Sequence, residues 1–284
     1  MSESKIKPVI ICIAKSETQY IEEFVRYHLH LGFDKIYIYD NEDEPTYGAQ
    51  LARFNDYVKV MHLPGKNYPR LPQYEALQQF TWQYMGNNDI THVAHIDIDE
   101  FIVLKKHKNI KDFIREYIDN DENNIMCGGI GINWRFFGSS DITTNTGEPN
   151  TSRFTKCEKN GNRHIKTLYN AKYHASYPNP HECIVNNASY PIKTTNGTVI
   201  KGPFNEPIDF SVIQINHYKT KTWEEFQYIK QRGRADRCDN PELDDLLGTF
   251  NEFNLNEIED LTAHDYYKHI LNSPELLSIY ETTN

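Results

Sequence analysis

The stretch HVAHIDIDEF, residues 92–101, sets three acids, Asp97, Asp99 and Glu100, almost side by side after an apolar run through Val93 and Ile96. Repulsion and desolvation both oppose that arrangement unless something positive lies between the acids. The segment THVAHID reads as a strand, and in an extended strand residues two apart point the same way, about 6 to 7 Å from one another. Asp97 and Asp99 are then two carboxylates on one side of a strand end, with Ile96 and Ile98 turned to the core. Such a pair suits a divalent cation with oxygen ligands, leaving positions open for phosphate oxygens and water.

Outward from this stretch, strands and helices alternate. PVIICIA (8–14) reads as a buried strand, followed by the helix SETQYIEEFVRYHLHLG (16–32). In that helix Ser16 and Gln19 fit a capping box, Tyr20, Phe24, Tyr27 and Leu31 form one stripe, and Gly32 is the stop. KIYIY is a second strand ended by Asp40 and Asn41, YVKVMHL a third, PQYEALQQFTWQYM a helix closed by Gly86-Asn87-Asn88, and NIKDFIREYI a further helix. This alternation predicts the α/β class, with a mostly parallel central sheet covered by helices on both faces. Ligands bind such sheets at the carboxyl ends of the strands, where Asp40 and the Asp97/Asp99 pair fall.

After residue 130 the pattern loosens. GGIGINWRFFGSSDITTNTGEPNTS is rich in Gly, Ser, Thr and Asn and reads as containing a long loop. HIKTLYN and SVIQINHY follow as strands, TWEEFQYIKQR as a helix with a Thr222/Glu225 capping box, and TAHDYYKHIL as a helix of the tail. With no internal repeat and no linker, one domain over residues 1–284 is expected. Its parts would be a nucleotide-binding half (1–105), an acceptor- and metal-completing half (106–240) and a C-terminal helical tail (241–284).

Composition narrows the class. At 38% hydrophobic and 13% aromatic, the chain carries enough apolar surface for a packed core and is unlike a disordered segment. The longest apolar run, VIICIA, is too short to cross a bilayer, and no secretory signal is evident, so a cytoplasmic protein without a transmembrane segment is expected. Five scattered cysteines (Cys12, Cys127, Cys157, Cys183, Cys238) with no C-x-x-C pair argue against a disulfide framework or a structural zinc site. A net charge of −10 disfavours nucleic acid as a partner. One segment, HYKTKTWEEFQYIKQRGRADR, is nonetheless basic, either as a solvated helix face or as a pocket for an anion. There His217 follows the apolar alternation of SVIQI and offers an imidazole, which suits Mn²⁺ better than Mg²⁺. Lys219, Lys221, Lys230, Arg232 and Arg234 would let a diphosphate meet cations as well as metal.

AKSETQYIEEFVRYHLHLGFDKIYIYDN, HIDIDEFI, INWRFFGSS and INHYKTKTWEEFQYIKQRGRA occur in that order, and together they resemble the glycosyltransferases of family 92 from residue 9 to about 235. The resemblance implies a GT-A fold and a metal-dependent, inverting transfer of a hexose, typically galactose, from a UDP-sugar to a hydroxyl of a glycan acceptor. It implies that Lys15 and Glu17, the ends of AKSE, line the nucleotide pocket, and that Asp40 and Asn41 bond uracil or ribose. Asp97 would reach ribose and metal, Asp99 would ligate Mn²⁺ or Mg²⁺, and His217 would complete the shell. Lys221 and Arg232, with Lys219, would contact the diphosphate, and Trp134, Phe136 and Phe137 would form a platform for sugar C–H faces. Where the family has FGSSG this chain has FGSSD, so Asp141 stands at a turn where glycine supplies a positive φ. Inverting transfer needs a base, with Glu182, Asp141 and Asp209 as candidates, Glu182 first because His181 and its flanking prolines imply a defined turn. His181 or His174 would alternatively serve the acceptor. Two other classes compete. A sugar-phosphate nucleotidyltransferase would usually carry a glycine-rich loop after the first strand, which AKSET lacks, and a non-catalytic carbohydrate-binding protein would explain the aromatics but not the acids.

Overall fold

Isoleucine, valine and cysteine run through Pro8–Ala14 without a polar break, and this segment is the first strand, β1, covered on both faces. The computed structural model describes residues 5–65, 71–86, 89–120, 127–231, 233, 235 and 245–282. After β1 come α1 (Ile21–Leu31), β2 (Lys35–Asp40), α2 (Tyr47–Gln50), β3 (Val58–His62), α3 (Pro72–Tyr84) and β4 (His92–His95). β1 lies between β2 and β4, β3 is outside β2, and all these pairings are parallel. Side-chain alternation along β1 divides two apolar cores. Ile10, Cys12 and Ala14 face α1, while Val9 and Ile11 face Ala76, Leu77 and Phe80 of α3.

The rest of the chain completes a nine-stranded sheet among the described residues, in the order β3-β2-β1-β4-β8-β6-β12-β5 with β11 beside β6. Its elements are β5 (Glu100–Leu104), α4 (Ile110–Tyr117), β6 (Gly129–Phe136), α5 (Asn150–Arg153), β7 (Lys156–Cys157), β8 (Asn162–Asn170), β9 (His174–Asn179) and β10 (Glu182–Val185). Then follow β11 (Ile192–Lys193), β12 (Ile213–His217), α6 (Trp223–Gln231), α7 (Leu246–Phe253), β13 (Ile258–Glu259), α8 (Thr262–Leu271) and α9 (Pro274–Ser278). β8 is antiparallel to both β4 and β6, β5 is antiparallel to β12, and β11 and β12 run parallel to β6. This is the mostly parallel, helix-flanked α/β architecture the sequence predicts. The tail helix α8 belongs to the core, burying Ala263, Tyr267 and Ile270 with Tyr27 of α1. Among the described residues no helix is long and apolar enough to cross a membrane. Cys12, Cys127, Cys157 and Cys183 are free and buried; Cys238 lies outside the described residues, as do Asn87 and Asn88.

Four local expectations are corrected. The strand THVAHID ends at His95, so Asp97 and Asp99 stand in a turn and not in extended backbone. That turn leads directly into β5, which sequence reading passed over. The glycine-rich stretch expected to contain a long loop opens with a strand not named from the sequence, β6, which pairs with three others. Those glycines answer to packing: a methyl group on Gly129 would stand 2.5 Å from the Leu168 carbonyl oxygen and 2.6 Å from Tyr169 Cα. Lastly, α1 starts at Ile21 without the Ser16/Gln19 box. Ser16 is left-handed (φ 55°) with its amide donating to Glu42, and Gln19 pairs with Asn145.

The Thr222/Glu225 box does form and opens into a buried network. The Glu225 amide donates to Thr222 Oγ1 at 3.3 Å, and the Thr222 amide donates to Glu225 Oε2 at 3.1 Å. Arg153 grips the same carboxylate with two bonds of 2.7 and 2.9 Å, and the Tyr20 hydroxyl adds a third at 2.7 Å. Burial works against the charge, but these donors hold the Glu225 carboxyl down to about 2. Because the folded value lies below the ordinary one, its stabilisation is present above about pH 4.5 and is lost as pH falls toward 2. Urea denaturation should therefore weaken more steeply between pH 5 and 2.5 in the wild type than in Glu225→Gln. At pH 7 Arg153→Met should cost about 3–5 kcal/mol by stranding a buried charge.

Candidate active site

A cleft of about 430 Å³ opens where the chain leaves the carboxyl ends of β1, β2, β4, β6 and β12. The β1–α1 turn supplies Lys15 and Glu17, the end of β2 supplies Asn41, and the turn after β4 supplies Asp97, Ile98 and Asp99. β6 contributes Trp134 and Phe136, and antiparallel β8 brings His164 and Lys166 to the same edge. His181, His217, Lys219, Lys230, Glu252 and Phe253 close the remaining wall.

The acids that open the question are held by a cation of the chain itself. Lys166 is 1% exposed and its Nζ donates to Asp97 Oδ2 at 2.9 Å while standing 3.5 Å from Glu100 Oε2. Gln73 Nε2 donates to Asp97 Oδ1 at 3.1 Å, and the Asp97 amide donates to Glu100 Oε2 at 3.0 Å. Burial opposes charge at Asp97, yet Lys166 holds its carboxyl below the ordinary value. Glu100, wholly enclosed, is pushed well above its ordinary value by desolvation, with Asp97 and Asp99 adding to the rise. The Lys166 ammonium loses hydration in this place but is raised by Asp97 and Glu100, so it stays charged.

Asp99 faces the other way. Its Oδ2 is 3.5 Å from His217 Nε2, at the end of β12. Burial lowers the His217 imidazole below its ordinary value despite Asp99, which leaves a neutral ring with a ligating lone pair to offer. Among the described residues no group of three or more His, Cys, Asp or Glu side chains is arranged to hold a metal ion. The two converging donors do not make an all-protein cage. They do fit a small divalent cation of the kind bound by one or two side chains, with substrate phosphates and water as the other ligands.

Around this pair lies a wall of rings. Trp134 stands between His217 and His181, with centroids 4.4 and 5.0 Å away, and His164 stacks on it at 5.0 Å and 24°. Phe136 adjoins both His217 and Phe253 at 5.1 Å, and Lys219 Nζ sits 3.6 Å above the Phe253 ring.

Of the residues named from sequence, Lys15, Glu17, Asn41, Asp97, Asp99, Trp134, Phe136, His181, His217, Lys219 and Lys230 line the cleft. Asp40 does not: its carboxylate accepts the amides of Glu42, Thr46 and Tyr47 and shapes the loop after β2. Lys221 also turns away from the cleft, left-handed (φ 55°) and buried, with Nζ 4.6 Å over the Tyr20 ring. Arg232 and Arg234 lie outside the described residues. None of the three carboxylates considered as a base reaches the cleft. Asp141 is exposed and paired with Lys156 at 2.6 Å, Asp209 accepts the amide and hydroxyl of Ser211, and the Glu182 carboxylate lies beside Gly202. Asp141 and Ser140 do adopt positive φ (63° and 52°), the backbone that glycine would supply there. Phe137 packs on Tyr218 in the core, and His174 stacks on Tyr169. Sequence reading missed Lys166, Gln73, His164, Glu252 and Phe253.

A model of glycosyltransferase family 92 matches residues 7–260. The chain belongs to this family. No curated protein matches the family 92 chain in sequence. Among solved structures it is similar to S. aureus TarS, at 16% identity over 87% of this chain and 43% of that one, with a TM-score of 0.40. It is likewise similar to S. aureus TarS 1–349 in complex with UDP, at 16% identity over 59% of this chain and 48% of that one, with a TM-score of 0.36. A third is a putative glucose-1-phosphate thymidylyltransferase from Bacillus anthracis in complex with a sucrose, at 11% identity over 60% of this chain and 73% of that one, with a TM-score of 0.35. The match spans about half the length of the TarS chain that carries UDP.

The acid cluster generates a test of its own. Lys166→Met should cost about 3–5 kcal/mol in chemical denaturation, because it strands buried carboxylates. Glu100→Gln keeps an acceptor for the Asp97 amide and, because burial already favours the uncharged Glu100 carboxyl, changes the charge balance around Lys166 little, so its loss should be clearly smaller. Equal losses in the two variants would contradict this arrangement.

Proposed function

We propose that this protein transfers a hexose, galactose favoured, from a UDP-sugar to a hydroxyl of a glycan acceptor, with inversion and with the help of Mn²⁺ or Mg²⁺. The observation that carries the reading is the convergence of Asp99 and His217, 3.5 Å apart, beside Lys219 in a cleft of a family 92 chain. Lys15, Glu17 and Asn41, which line the cleft at the ends of the first two strands, would receive the nucleoside. Lys219 and Lys230 would meet the diphosphate, where preorganised cations act on charge that grows as the bond to the sugar breaks. Asp99 and His217 would hold the divalent cation, whose chemistry is to neutralise the departing diphosphate. Trp134 and Phe136, which line the cleft, would offer apolar faces for the C–H side of the sugar.

The test is a panel of UDP- and GDP-sugars with Mn²⁺, followed by release of the nucleotide. UDP-galactose should be turned over, and Asp99→Ala should lower turnover by at least about 100-fold while the unfolding transition stays in place. UDP with Mn²⁺ at about 100 times its Kd should stabilise the wild type by about 2.7 kcal/mol, a shift that Asp99→Ala loses. Unchanged turnover in that variant would refute the assignment of Asp99.

A further inference from the structure

We infer that His181 is the general base that takes the proton of the acceptor hydroxyl. The inference rests on the glycosyl-transfer reading and supplies the group that reading lacks. His181 Nδ1 lies 3.2 Å from the Ile165 carbonyl oxygen, and a carbonyl only accepts, so Nδ1 carries the hydrogen and Nε2 the lone pair. Among the described residues Nε2 has no hydrogen-bond partner, and the ring lines the cleft. Burial and the nearby Lys166 push the imidazole down to about 3. The ring is therefore neutral at physiological pH, with its lone pair available.

Position singles this histidine out. Inverting displacement is in line, so the base stands across the sugar from the departing diphosphate. Trp134 stands on β6, between β12, which ends in His217, and β8, whose Ile165 carbonyl His181 contacts; the two imidazoles lie 4.4 and 5.0 Å from the indole. His164 lies flat on the same indole and belongs to the platform. The acids of the cleft are placed differently. Asp97 is bound by Lys166 and Gln73, and Asp99 faces His217. Glu252 precedes Phe253, the ring under Lys219 on the His217 side, and Glu17 sits in the turn after β1. In the step, the acceptor oxygen forms the bond to the anomeric carbon, and that carbon's bond to the diphosphate oxygen breaks, its electron pair leaving with UDP. The hydroxyl proton passes to Nε2.

Hydrolysis of UDP-galactose with Mn²⁺, in which water is the acceptor, tests this with the full chain. His181→Asn retains an amide donor for the Ile165 carbonyl and removes Nε2. Its kcat should fall by about 100-fold or more with UDP affinity within about threefold of wild type, and added imidazole should restore turnover to His181→Ala. Turnover in His181→Asn within about threefold of wild type would overturn the inference and leave the transfer reading standing. So would a parallel loss of UDP affinity, or a His181→Ala variant that imidazole does not rescue. A wild-type protein inert toward every sugar of the panel would overturn the transfer reading and the base with it.

Discussion

One buried ammonium organises this molecule. Lys166, on a strand antiparallel to its neighbours, reaches Asp97 and Glu100 where the chain passes from β4 to β5, strands that lie far apart in the sheet order. Without that charge, the passage would place acids in an apolar setting against both desolvation and mutual repulsion. With it, the passage is pinned to β8, Ile96 and Ile98 are buried, and Asp99 is turned toward β12. The crowding of acids in HVAHIDIDEF thus has two explanations that divide the residues between them. The inner pair is neutralised by the chain, and the outer carboxylate is left facing a histidine and open to a ligand.

That division orders the cleft. Trp134 projects from the most heavily paired strand, with a histidine on either side of it. The His217 side also carries Lys219 and the end of α7, so positive charge and ligating atoms lie together. The His181 side has a neutral ring of fixed tautomer and a stacked His164. In the proposed reaction, a sugar resting on the indole would have its leaving group toward His217 and its acceptor toward His181, as in-line displacement requires. Trp134, His164 and His217 sit on β6, β8 and β12 of one sheet, so their separations are set by backbone pairing, while His181 reaches them from the turn between β9 and β10 and touches β8 at the Ile165 carbonyl.

Much of this was legible in the residues, for identifiable reasons. Parallel strands covered on both faces are mostly apolar runs, so β1 and β2 could be read directly, β3 followed from the alternation of its valines, and a strand end in such a sheet marks a site. His217 was legible because it ends an alternating apolar strand. β6 was not, because Gly129 and Gly131 are there for close approach of backbone and side chains and look like loop residues. HIKTLYN reads as a strand, but nothing in it singles out Lys166; only the acids of the β4–β5 passage, brought beside β8 by the fold, reveal what it faces. Asp40 and Lys221 have the right types at the right places in the sequence, but their side chains are drawn to local backbone amides and to an aromatic ring. No local pattern encodes the direction of an isolated loop acid, and so Glu182 stood first among the three candidate acids although its carboxylate lies beside Gly202.

The most direct measurement is a crystal structure of the protein with manganese and UDP. It should show the anomalous signal of the metal bonded to Asp99 and His217, with Lys166 Nζ still about 2.9 Å from Asp97. Metal that displaces Lys166 to take Asp97, or a cleft holding UDP with no metal at Asp99 and His217, would contradict the account.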